Sequence, residues 1–91
     1  MKVYVLVIDS CYDYERNTNV FVYETLGAAQ EDMYGGVQCF QYENDADASN
    51  WVLGYDTETG VMYQEDGDYT RNHVEWTIYE REVQPDKDKE L

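Results

Sequence analysis

Ninety-one residues make one domain, and 20 acids against 6 bases set its formal charge at −14 and its pI near 4.1. That balance excludes direct nucleic-acid binding, because phosphate would be repelled and no basic patch exists to meet it. An aromatic content of 15%, with ten tyrosines, excludes a disordered acidic tail.

The run Val3-Tyr4-Val5-Leu6-Val7-Ile8 is β-branched and apolar on both faces, which predicts a central strand. Residues 9–19 are polar and rich in turn formers, and they predict a long loop. The loop leads into a second strand at Val20-Phe21-Val22-Tyr23, giving a long-looped antiparallel hairpin. Thr25 is placed to N-cap a helix. After it, Leu26, Ala29, Met33, Val37 and Phe40 fall on one helical stripe, with Glu31 opposite and Asp32 and Glu43 towards the flank. Gly35-Gly36 interrupts this pattern, since an interior glycine costs about 1 kcal/mol relative to alanine. The alternative is a helix ending at Tyr34 with an extra strand over 37–42, but the unbroken stripe favours the longer helix.

Residues 43–50 form a polar acidic loop containing Glu43, Asp45 and Asp47. Strands over 51–55 and 61–65 flank a turn at 56–60, with Gly60 where a positive φ is expected. Asp66-Gly67-Asp68 predicts a second tight turn. The last strand, over 73–83, alternates: Val74, Trp76 and Ile78 face one way, Glu75, Thr77 and Tyr79 the other. The expected fold is α+β with the order β-β-α-β-β-β. It is a single two-layer domain over 1–85, with an antiparallel sheet of about five strands and one helix on one face. Residues 86–91 form a short, flexible charged tail.

No residue pattern points to catalysis. His73, the single histidine, sits at a strand start beside Asn72, where a surface or turn role is expected. Cys11 and Cys39 are too few for a disulfide framework and lack basic neighbours that would activate a thiol. They read as isolated half-buried thiols in a reducing compartment. Carboxylate pairs are abundant, but among twenty acids abundance removes their specificity. The run from Asp66 begins like a calcium loop, but Arg71 stands where glycine belongs and Thr77 where a bidentate glutamate belongs. No cofactor or metal is expected; adventitious calcium at Asp56/Glu58 or Asp66/Asp68 is the weaker alternative. Residues 1–8 are too short an apolar run for a signal peptide and no stretch approaches a membrane span, so a cytoplasmic protein is expected.

The distribution of charge is more informative. Residues 1–85 hold 17 acids and 4 bases, a net −13, and from Asn17 to Thr70 there are eleven acids with no lysine or arginine. Self-repulsion of this kind costs stability, so the charge points to a use outside folding, with plain solubility as the competing explanation. Duplex DNA carries one charge per roughly 1.7 Å. A domain about 30 Å across, from a radius of gyration near 12 Å, therefore spans on the order of 18 phosphates. A charge of −13 is of that order, enough to compete for a basic nucleic-acid-binding groove. Tyr12, Tyr14, Tyr34, Tyr42 and Tyr55 lie near acids, and tyrosine–carboxylate surfaces suit arginine-rich partners.

The opening Lys2–Val7 (KVYVLV), the Thr25-Leu26 helix start and the closing GDYTRNHVEWTIYE of residues 67–80 resemble small acidic uncharacterised proteins of gut bacteria and their mobile elements. In size and charge, by composition alone, the chain also resembles phage-encoded anti-CRISPR and anti-restriction DNA mimics. The second resemblance implies a basic nucleic-acid-handling partner, a CRISPR effector or restriction enzyme, bound in its DNA or guide channel. The expected partner-binding acids are Glu31, Asp32, Glu43, Asp45, Asp47, Asp56, Glu58, Asp66 and Asp68. The alternative is a structural or assembly protein of a phage or mobile element, self-associating through an uncovered sheet face that bears Tyr79.

Overall fold

The computed structural model describes residues 1–44, 51–65 and 71–84. The order is β1 (Lys2–Tyr12), β2 (Glu15–Tyr23), α1 (Leu26–Asn44), β3 (Trp51–Thr57), β4 (Gly60–Glu65) and β5 (His73–Glu82). One antiparallel sheet runs β2-β1-β5-β4-β3, and α1 packs on one face of it. This is the expected two-layer α+β fold. The expected turn at Asp66-Gly67-Asp68 and the tail at 86–91 lie outside the described residues.

The helix stripe supplies one half of the core. Ala29, Met33, Val37 and Phe40 are buried against Leu6 of β1, Val61 and Tyr63 of β4, and Val74, Trp76 and Ile78 of β5. Phe40 is the hub, with ring centroids 5.0 Å from Tyr63, 5.1 Å from Trp51 and 5.8 Å from Trp76. Thr25 caps the helix, its Oγ1 accepting from the Ala28 N–H at 3.1 Å. The helix runs unbroken through Gly35 and Gly36, and the reason lies in the packing. A Cβ on Gly36 would stand 2.9 Å from the indole Nε1 of Trp76, so glycine there is what lets the helix approach the sheet.

Three expectations need correction. Residues 9–19 are not a long loop: β1 and β2 pair continuously from Tyr4↔Tyr23 to Tyr12↔Glu15 around a two-residue turn, Asp13-Tyr14. Both turn residues have positive φ, 54° and 70°, as a hairpin matching the sheet's twist requires. The polarity of the segment belongs to cross-strand partners. Asp9 accepts from Arg16 at 2.9 Å and from Thr18 at 3.4 Å, and the Ser10 hydroxyl donates to the Asn17 carbonyl at 3.3 Å.

Gly60 is needed for space and not for a positive φ. The β3–β4 turn is Glu58-Thr59, and a Cβ on Gly60 would lie 3.0 Å from the Tyr55 ring and 3.3 Å from the Trp76 carbonyl. His73 is not a surface residue: it is 2% exposed, paired in register with Cys11 on β1 and Gln64 on β4. The cysteines also differ from each other, Cys11 being buried and Cys39 exposed, and neither is in a disulfide.

Candidate protein-binding surface

Alternation along the strands separates the two faces of the sheet. The helix-side face carries Leu6, Val61, Tyr63, Val74, Trp76 and Ile78; no described helix or strand packs on the other face, where Cys11 and His73 are nevertheless buried at one end. By register that open face presents Val3, Val5 and Val7 of β1, Val20 and Val22 of β2, and Thr77 and Tyr79 of β5. Its acids are Asp9 and Glu75, and both are engaged: Asp9 with Arg16, and Glu75 as acceptor from the Tyr55 hydroxyl.

The acids of the helix side are of a different kind. Glu31, Asp32, Glu43, Asp56 and Glu58 are all exposed. The β3–β4 turn is tied to the first half of α1, because Gln30 Nε2 donates to the Glu58 carbonyl at 2.9 Å and the Tyr34 hydroxyl to the Thr57 carbonyl at 3.3 Å. Those two bonds hold the turn beside Asp56 and Glu58 against α1. On the other flank, the Tyr23 hydroxyl of β2 donates to Asp32, and Tyr23, Ala28, Glu31 and Asp32 line a shallow open groove. The hydrogen bond to Asp32 is the main reason the Tyr23 hydroxyl titrates above its ordinary range, with burial and the Asp32 charge adding to it.

Glu43 stands apart, twelve residues beyond Glu31 on the same helix, about 18 Å along its axis. It lies by Tyr12, whose hydroxyl is pushed up first by burial and then by the Glu43 charge. Asp45, Asp47, Asp66 and Asp68 lie outside the described residues. Glu24, exposed between β2 and α1, does not stand out in the sequence. Only its place within the base-free stretch marks it.

Bases are few in this region: by register Lys2 alone of the described ones shares the helix side. The four among the described residues are Lys2, Arg16, Arg71 and Arg81, on β1, β2, the approach to β5 and β5 itself. Lys2 pairs with Glu80 at 3.4 Å, Arg16 with Asp9 at 2.9 Å and Arg71 with Asp13 at 3.5 Å; Arg81 sits 5.0 Å over the Tyr79 ring. None lies on α1, β3 or β4.

Among the described residues no three His, Cys, Asp or Glu side chains converge as metal ligands, and no helix is long and apolar enough to cross a membrane. No family model, curated protein or solved structure matches the chain.

Proposed function

We propose that the chain is a non-enzymatic, acidic protein-binding module of the bacterial cytoplasm that offers its helix side to a basic surface. Most concretely, it acts as a nucleic-acid mimic that occupies the DNA- or RNA-binding surface of a host defence protein, of anti-CRISPR or anti-restriction type. The observation that carries this reading is the partition of charge. The exposed acids Glu31, Asp32, Asp56 and Glu58 lie on α1 or beside the β3–β4 turn bonded to it, elements that carry no described lysine or arginine, and the one described base on the helix side, Lys2, is paired with Glu80. Glu43 supports it from the other end. It occupies the last turn of α1, where the helix dipole disfavours an anion by about 0.3–1 kcal/mol, so local stability does not explain its charge. Exposed Tyr34 and Tyr42 on the same helix add ring faces on which arginine side chains can stack.

Electrostatic recognition of this kind associates fast and weakens with salt. Tagged protein passed through bacterial lysate at low salt should retain one nucleic-acid-handling protein, released by salt and displaced by added DNA or RNA. Retention that neither salt nor nucleic acid reverses would contradict the mimic reading.

A further inference from the structure

The two edges of the sheet are not alike. β3 is short and defended: its register with β4 shifts between Leu53 and Tyr55 at a bulge, and it carries Asp56. From Asn17 to Tyr23, β2 has none of the devices that keep an edge from pairing. It runs nine residues in unbroken register, without proline or lysine, and from Arg16 to Tyr23 it contains no acid in a chain of charge −14. Three consecutive apolar residues at this edge are open to solvent, Val20 at 56%, Phe21 at 44% and Val22 at 62%.

The hairpin geometry shows where the backbone points. The residues flanking a two-residue turn form a hydrogen-bonded pair, and such pairs then alternate along the ladder. Tyr12↔Glu15 is therefore bonded, as are Ser10↔Asn17, Ile8↔Asn19, Leu6↔Phe21 and Tyr4↔Tyr23. The N–H and C=O groups of Thr18, Val20 and Val22 point the other way, out along the edge.

We infer that β2 pairs antiparallel with β2 of a second copy, joining two sheets into one of ten strands. The edge is self-complementary, as a two-fold interface requires: every outward-pointing group lies at the same parity, so the pairing satisfies donors and acceptors of both copies. Charge selects the second copy and the antiparallel sense. Antiparallel pairing sets Arg16 of one copy near Glu24 of the other, and it keeps the two Glu24/Asp32 groups at opposite ends of the join. The two-fold axis stands perpendicular to the sheet, which leaves both helices, with their acids, on one side.

Sedimentation equilibrium from about 1 μM to about 1 mM tests this. The expected result is a dimer that tightens as salt screens the repulsion between two chains of −14. That salt response is opposite to the one expected for capture of a basic partner, so either idea can fail without the other. Val20→Pro removes one outward N–H without touching the β1 ladder, and Val20→Lys places a charge at the join. Both should yield monomers with an unchanged circular dichroism spectrum, while Val52→Lys on the other edge should leave the dimer intact. A chain that stays monomeric at every concentration overturns the proposal. So does a dimer that survives both Val20 substitutions and dissociates on Tyr79→Lys, which would place the contact on the open face.

Discussion

Gly35 and Gly36 are neighbours on α1 with opposite surroundings. A Cβ on Gly35 meets nothing within 4 Å, whereas one on Gly36 runs into the Trp76 indole at 2.9 Å. Gly35→Ala should therefore stabilise the fold by about 1 kcal/mol, through helix propensity alone. Gly36→Ala should destabilise it, because a buried indole cannot yield without opening the core around Phe40. Urea midpoints of the two variants check this, and equal shifts would contradict it. Tyr55 provides a pH signature. Burial first, and then its hydrogen bond to Glu75, push its hydroxyl up to about 12; a hydrogen bond with Thr77 opposes the shift, and the Glu75 and Tyr79 charges add to it. The folded value lies above the ordinary 10, so the stabilisation is complete below pH 10 and is lost as pH rises from 10 towards 12. Tyr55→Phe should abolish that part of the alkaline loss, read as the pH dependence of the urea midpoint, at a cost of about 1 kcal/mol near neutrality.

The elements differ in how plainly their sequences announce them, and the difference follows burial. α1 and β5 each bury one side against the core, so Leu26, Ala29, Met33, Val37 and Phe40 repeat at helical spacing and Val74, Trp76 and Ile78 at strand spacing. The tight turn and full length of the β1–β2 hairpin were hidden because β2 is an edge strand with no buried residue, so nothing in Glu15–Asn19 needs to be apolar. Polar pairs such as Asp9 with Thr18 are indistinguishable in sequence from a loop until the partner strand is known. The turn carries strain that the sequence could relieve. Tyr14 holds φ at 70°, a conformation costing roughly 1 kcal/mol for a residue with a Cβ. Tyr14→Gly should raise stability by up to about 1 kcal/mol while keeping the Tyr14 N–H bond to the Arg71 carbonyl, which is 3.1 Å long. A thermal melt shifted downwards would show instead that the exposed ring contributes more than the strain removes.

For the whole molecule, the ruling quantity is charge and how the fold sorts it. At −14 the compact state repels itself, so added salt should raise the melting temperature before any specific partner is considered. The base-free stretch was readable directly from the sequence, and Glu31, Asp32, Asp56 and Glu58 within it are exposed. What could not be read was their grouping. That depends on Gln30 and Tyr34 holding the β3–β4 turn against the helix, contacts spanning 28 and 23 residues that leave no local pattern. Nor was the apolar character of the open face legible, since it emerges only when β1, β2 and β5 are set side by side.

The central claim is that a particular group of acids, on α1 and beside the β3–β4 turn, and not net charge alone, is recognised. Its most direct test compares two double reversals with the same change in charge, Glu31→Lys with Glu58→Lys against Glu15→Lys with Glu82→Lys. Affinity for the protein captured from lysate would be measured by calorimetry at one salt concentration. The pair on α1 and the β3–β4 turn should lose on the order of a hundredfold, about 2.7 kcal/mol, and the pair at the ends of the sheet less than about threefold. Equal losses from the two pairs would contradict the account and reduce the acidity to a matter of net charge.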